Sequence, residues 1–145
     1  MQAISLTDVF TPQRRSEIMS RITSKDTKPE MRLRRALHSL GLRYKLHDRS
    51  LPGTPDMVFP RYQCALQIRG CFWHKHGCHK SNTPKSNTQY WTEKLARNQR
   101  RDEQNDLLLK QAGWLVIVVW ECEIASRQKF EAILDQTYAM IVRPR

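Results

Sequence analysis

The spacing of apolar residues along the chain switches between helical and strand periods. Thr11-Pro12 has the form of a helix start, with a capping hydroxyl and a proline at the first helical position. Ile18, Met19 and Ile22 then share one stripe of a helix ending near Thr23. A second helix is predicted after Pro29, where Leu33, Ala36, Leu37 and Leu40 recur at helical spacing and Gly41 supplies the stop. Leu42–Leu46 reads as a short strand. Leu51-Pro52-Gly53-Thr54-Pro55 is a connector, because proline and glycine do not suit a central strand. Asp56–Phe59 and Cys64–Ile68 read as two strands joined around Pro60-Arg61. Ser81–Thr88 is polar and loop-like, and a long helix runs from about Gln89 to Gln111, before Gly113. Trp114–Trp120 is apolar on both faces and β-branched, the pattern of a central strand covered on two sides. A last helix spans about Arg127 to Ile141.

This order predicts an α/β fold with a mixed sheet. A length of 145 residues suits one domain, 1–145, with a real core, and is too short for two comfortable ones. There is no internal repeat and no low-complexity tract. Charge adds a partner class. Lys and Arg number 25 against 14 acids, a net charge of +11. The excess is dispersed, with no block of like charge, which suits a folded domain that meets a polyanion better than a disordered basic tail. Met1–Phe10 lacks the basic start and apolar run of an export signal, and Trp114–Trp120 is too short to span a bilayer. Four cysteines without an export signal point to a reducing cytoplasm, where thiols hold metals or stay free.

The densest chemistry lies in Gly70-Cys71-Phe72-Trp73-His74-Lys75-His76-Gly77-Cys78. Phe and Trp are usually core residues and histidines are often only surface residues. Thiols and imidazoles are nevertheless the ligands zinc prefers, and aromatics beside positive charge suit a base-stacking surface, so the segment reads as a metal-braced finger touching nucleic acid. Cys64 reads as a buried strand residue, which leaves Cys71, Cys78 and Cys122 for chemistry. Three thiolates and one imidazole fit a closed, structural tetrahedral zinc. The spacing does not decide between His74, His76 and His79 as the nitrogen ligand.

Pro55-Asp56 opens a strand, and the next strand brings Gln67-Ile68-Arg69. Nucleases with a PD-(D/E)xK core carry an aspartate on the first such strand and an acid-x-lysine on the second; here Gln67 and Arg69 replace the latter pair. Asp56 with Mg²⁺ supplies part of what phosphodiester hydrolysis needs, and an imidazole such as His74 supplies a base. On the long helix Trp91, Lys94, Asn98 and Asp102 form one stripe, a poor core face and a plausible binding face.

Together these pieces resemble the very-short-patch mismatch repair endonucleases, the Vsr family. The resemblance runs from about Thr11 to Phe130. It rests on Met19 to Thr27, Glu30, Leu51 to Asp56, Gly70-Cys71-Phe72-Trp73-His74, Trp91 to Lys94 with Asn98 and Arg101-Asp102, and Gly113-Trp114 with Val119-Trp120-Glu121-Cys122. It implies a restriction-endonuclease-like mixed sheet flanked by helices, with a zinc-braced finger. The implied activity is a Mg²⁺-dependent nick on the 5′ side of the thymine in a T·G mismatch, the lesion left when 5-methylcytosine deaminates. Carried onto this chain, Asp56 resembles the magnesium-binding carboxylate, with the backbone carbonyl of Ile68 as a further ligand. His74 resembles the general base, oriented by Asp102, and Glu30 holds a metal-bound water. Cys71, His76, Cys78 and Cys122 resemble the structural zinc shell. Phe72, Trp73 and Trp91 resemble the rings that enter the stack from the major groove, and Met19 and Ile22 the minor-groove side. Lys94 and Asn98 resemble the readers of the wobble pair. Arg69 stands where the family has histidine, which keeps phosphate neutralisation and removes one proton carrier.

The expected organisation is an N-terminal DNA-contacting helix, 1–24, on a catalytic core, 25–145. The expected partner is double-stranded DNA carrying a T·G mismatch, met by a monomer in the cytoplasm at the nucleoid, with repair-pathway proteins as further partners and no membrane. Two alternatives differ in class or breadth. A zinc-stabilised DNA-binding protein would need the charge, the finger and the rings but not Asp56, His74, Glu30 and Asp102. An endonuclease of the same fold with broader specificity would accompany a different cytosine methyltransferase.

Overall fold

The structure, a computed structural model, describes residues 11–14, 25–78 and 81–144. Helical backbone begins at Pro12, and the Thr11 hydroxyl accepts the Arg14 N–H at 3.2 Å, as a capping threonine should. The predicted stripe Ile18, Met19 and Ile22 lies outside the described residues, as does most of the proposed N-terminal element.

Helix α1 (Lys28–Ser39) starts at Thr27, whose hydroxyl accepts the Glu30 N–H, while Glu30 Oε2 reaches back to the Asp26 N–H at 3.1 Å. A cap of this kind satisfies two backbone donors that a helix start leaves free. Leu33 and Leu37 are fully buried, and the helix stops at Leu40 before Gly41, whose φ of +95° favours glycine. Strand β1 is only Lys45–Leu46, shorter than the predicted Leu42–Leu46. Leu42 is buried, and Tyr44 donates its hydroxyl to the Arg34 carbonyl at 2.8 Å, so this stretch is held by side chains rather than by a ladder.

Strands β2 (Met57–Phe59) and β3 (Cys64–Arg69) are joined by a short 3-10 turn at Pro60–Tyr62. After β3 come helix α2 (Thr88–Gln111), strand β4 (Leu115–Trp120), a short helix α3 (Glu121–Ala125) absent from the sequence expectation, and helix α4 (Arg127–Val142). The sheet order is β1-β2-β3-β4, antiparallel from β1 to β3 and parallel between β3 and β4. The expected mixed sheet flanked by helices is what the chain forms. One expectation is corrected: β4 is an edge strand among the described strands, and β3 is flanked on both sides. An apolar run reports that both faces are covered, here by helices, and not that both neighbours are strands.

Register sorts the side chains by face. Phe59 pairs with Cys64, Met57 with Leu66, and Leu66 with Ile117. These residues join Val119, Ile124, Phe130, Leu134, Ile141, Leu33 and Leu37 in one apolar cluster, with Ile68 packed against it. The period of two then turns Gln67 and Arg69 to the opposite face, towards α2. No helix among the described residues is long and apolar enough to cross a membrane.

Leu66 is fully buried in the strand with neighbours on both sides. Leu66→Ala is expected to cost about 2–5 kcal/mol in equilibrium denaturation, through lost burial and a residual cavity. Leu108→Ala, at an exposed position of α2, should change stability by less than about 0.5 kcal/mol in the same assay.

Candidate active site

Helix α2 carries one polar and aromatic stripe, and that stripe lies along residues 69–74. Arg69 donates to Asp106 at 2.7 Å, with its Nε 4.0 Å from Asp102. Asp102 holds His74 Nδ1 in a short hydrogen bond. One turn earlier Asn98 donates to the Trp73 carbonyl at 3.2 Å. Lys94 Nζ lies 5.5 Å from the Trp73 ring, 5.6 Å from that of Trp91 and 5.8 Å from that of Tyr90. Trp91 closes the row against Phe72 and Trp73, at ring separations of 5.4 and 5.9 Å. The predicted stripe therefore does two jobs at once: it docks the finger and gathers the rings. Asp106 extends it by one further turn, a step of four from Asp102.

A cleft opens beside this seam, lined by Asp56, Gln67, Ile68, Arg69, His74 and Asp102. Its rim adds Lys25, Arg49 and Arg101, cations that spacing alone did not single out. Asp56 directly precedes β2, and its Oδ2 accepts the Ile68 N–H at 2.7 Å, which ties it to the end of β3. Burial pushes its carboxyl above the ordinary aspartate range, against the pull of that N–H and of His47, His74 and Arg69. Gly53, with φ of +75°, lets the connector pass α2 closely: a Cβ there would lie 3.0 Å from Asn105 Cβ.

Glu30 is buried on α1, and its Oε1 lies 3.0 Å from His47 Nε2. Burial, then the neighbouring Asp56 charge, pushes its carboxyl above the ordinary glutamate range, and His47 pulls the other way. His47 had no place in the sequence reading, because nothing in the spacing marks a lone histidine after a two-residue strand.

Cys71, His76, Cys78 and Cys122 bring their donor atoms within 4.8 Å of one another. Sheet register explains the meeting. Arg69 is paired with Trp120 in the parallel ladder, and Cys71 and Cys122 each lie two residues past that pair. The His76 ring stacks on Trp120, with centroids 4.1 Å apart and planes 9° apart. Of the three candidate histidines, His76 is in this cluster, His74 is held by Asp102, and His79 lies outside the described residues. Burial, with neighbouring thiols, pushes the Cys71 thiol up to about 12, so without a cation the group keeps its proton. Three sulfurs and one ring nitrogen at this separation suit a tetrahedral ion and could hold one. Cys64 is fully buried in β3, as expected.

Comparison with known proteins gives the family. The family model described as DNA mismatch endonuclease Vsr matches residues 7–80. The chain belongs to the Vsr family of DNA mismatch endonucleases. It is 45% identical to Type II nicking enzyme V.XorIIP of Xanthomonas oryzae pv. oryzae, over 89% of this chain and 95% of that protein. It is 45% identical to Type II nicking enzyme V.NmeAIP of Neisseria meningitidis, over 84% and 87%. It is 40% identical to the DNA mismatch endonuclease Vsr of Escherichia coli strain K12, over 90% and 85%. Vsr enzymes are restriction-endonuclease-like, in line with the sheet described above, and their substrate is DNA. Membership removes the alternative of a DNA-binding protein without catalysis.

The raised carboxyl of Glu30 has a consequence for stability. A carboxyl whose folded pKa is raised binds its proton more tightly in the fold than in the unfolded chain. Its contribution is full below the ordinary glutamate range and is lost as pH rises through the raised value. Glu30→Gln is therefore expected to gain stability relative to the parent as pH rises above the ordinary glutamate range in chelator-treated samples. Urea melts from that range upwards check it, and parallel pH profiles for the two proteins would contradict it.

Proposed function

We propose that this Vsr-family endonuclease nicks one DNA strand on the 5′ side of the thymine in a T·G mismatch left by 5-methylcytosine deamination. The observation that carries this reading is the His74–Asp102 pair lining one cationic cleft with Asp56. That relatives are named nicking enzymes supports cleavage of a single strand.

Asp56 and the Ile68 carbonyl would hold Mg²⁺. The donors are hard oxygens, as Mg²⁺ requires, and Ile68 packs its side chain against the apolar cluster, so its identity leaves the backbone role intact. When bound, the ion neutralises charge at the phosphate and makes its water more acidic. With Nδ1–H donated to Asp102, His74 keeps Nε2 as the acceptor for a proton from the attacking water. Asp102 fixes that tautomer and ring orientation, and Glu30, in contact with His47, would hold a water in place. Arg69 holds Asp106 and neighbours Asp102, so its charge reaches the phosphate from within an ion-pair network. Lys25, Arg49 and Arg101 supply further cations for the DNA backbone.

Recognition belongs to the rings. A T·G wobble displaces both bases and weakens stacking, so wedging Phe72, Trp73 and Trp91 beside it costs less than at a paired step. Lys94 and Asn98 then exchange their contacts with the rings and with the Trp73 carbonyl for the displaced base edges. Met19 and Ile22 would approach the minor groove. The sulfur-rich cluster takes zinc in this reading, as a structural staple with no position open to substrate.

The parent should carry one zinc per chain, and Cys122→Ser should lose it and unfold at lower temperature; metal analysis with thermal melts checks both. Single-turnover nicking of T·G duplexes in several sequence contexts, with and without Mg²⁺, tests the reaction. Asp56→Ala should abolish nicking and leave mismatch affinity largely intact, because that affinity comes from rings and cations elsewhere. His74→Ala should slow nicking by about a hundred- to ten-thousand-fold and keep its zinc. Loss of zinc from His74→Ala would instead exchange the roles of His74 and His76. Equal cleavage of T·G and fully paired duplexes would overturn the mismatch reading.

A further inference from the structure

The ring of His47, which lines the cleft together with Asp56, lies between the Asp56 and Glu30 carboxylates. Its Nε2 is 3.0 Å from Glu30 Oε1, and its Nδ1 is 3.9 Å from Asp56 Oδ1. The Glu30 side chain is only 2% exposed, and that of His47 only 14%. Although Glu30 Oε1 and His47 Nε2 are close, neither makes an aligned hydrogen bond, and both atoms are shut off from solvent. Buried polar atoms left in this state are uncommon and cluster where a site is completed by something that binds there.

The backbone of His47 is arranged to put the ring in this place. Its φ of +47° lies in the left-handed region, where a side chain is uncommon and histidine is among the residues enriched. Its N–H donates to the Asp56 carbonyl at 3.2 Å, continuing the contact between β1 and β2 by one residue. One residue is thus tied to Asp56 through its main chain and faces Asp56 and Glu30 through its two ring nitrogens. Asp26, 3.7 Å from the same Nε2, is itself held by Arg34 at 2.7 Å. That ion pair restrains the outer side of the group. Left-handed backbone of this kind persists where the surroundings over-determine it, frequently at functional sites.

We propose that His47 is a positioning residue for strand cleavage: it sets the separation and orientation of Asp56, which lines the cleft, and of Glu30, which is buried against the same ring. This rests on the catalytic reading of Asp56 and Glu30 given above. Glu30 is buried and the Asp56 side chain is only 17% exposed, so the ring between them holds two groups of like charge apart where little water can screen them.

The test compares His47→Ala and His47→Gln with the parent in single-turnover nicking of a T·G duplex. Mismatch affinity, thermal stability and calorimetric binding of Mn²⁺ in place of Mg²⁺ are measured on the same samples. His47→Ala is expected to nick at least about tenfold more slowly at saturating DNA and to bind Mn²⁺ several-fold more weakly. Its DNA affinity should be unchanged. His47→Gln, which keeps a planar polar group able to meet a carboxylate, should recover part of the rate and of the Mn²⁺ affinity. Normal nicking by His47→Ala overturns the proposal if Asp56→Ala is inactive. If Asp56→Ala also nicks normally, the catalytic reading itself has failed. Rate losses that follow thermal stability in both His47 variants, with Mn²⁺ binding unchanged, would reduce His47 to a structural residue and also overturn the proposal.

Discussion

The seam between α2 and residues 69–74 is the constraint on which the site depends. Helix α2 has 24 residues, yet among those described only Leu95 and Leu109 are buried on it. A helix so sparsely anchored by apolar contact is placed by directional contacts instead. Asp106 holds Arg69, Asp102 holds His74, Asn98 holds the Trp73 main chain, and Trp91 packs against Phe72 and Trp73. Ion pairs in partly buried places are uncertain stabilisers, because desolvation offsets their attraction. What they provide is register. A slip of α2 by one residue would part all of these contacts together, so the geometry of His74 is tied to that of the rings.

The sulfur-rich cluster acts on the other end of the same segment. Parallel pairing of β3 with β4 delivers Cys71 and Cys122 side by side, and the turns at Lys75 and Gly77, both at positive φ, bring His76 and Cys78 round to them. The finger is thus fixed to the sheet at its base and to α2 along its length. An ion held by these four groups would keep the Cys71 thiol ionised where burial alone protonates it, and its binding energy would contribute to folding. In the proposed reading recognition and cleavage would meet in one short segment, since Phe72 and Trp73 are adjacent to His74, and a base step opened by the rings would lie close to the group proposed to activate water.

Charge works at a different range. The net charge of +11 favours approach to any DNA, and its long-range part is screened by salt. Asp56 and Glu30 oppose that trend locally. Glu30 is buried and Asp56 partly so, and burial raises the pKa of both carboxyls, a poor arrangement for stability and a good one for binding a cation.

Much of this was determined by the sequence alone. Helix α1, β2, β3, α2 and α4 follow from apolar spacing and from turn residues, because those signals are local: a proline, a glycine or a period of 3.6 acts on its own segment. The density of cysteine, histidine and tryptophan in residues 71–78 likewise marks the finger, and Asp56 and His74 are legible from their motifs. Only tertiary structure decided the rest. Trp114–Trp120 looked central because both its faces are apolar, yet sheet order depends on which strands pair, and β4 lies at the edge. The choice of His76 over His74 for the cluster was undecidable from spacing and follows from the β3–β4 register and from the hold of Asp102 on His74. His47 carried no signal at all, since its meaning comes from Glu30 and Asp56, one on another helix and one on another strand. Local spacing fixes what each segment becomes, whereas the meeting of distant side chains is set by packing and pairing, which no single segment encodes.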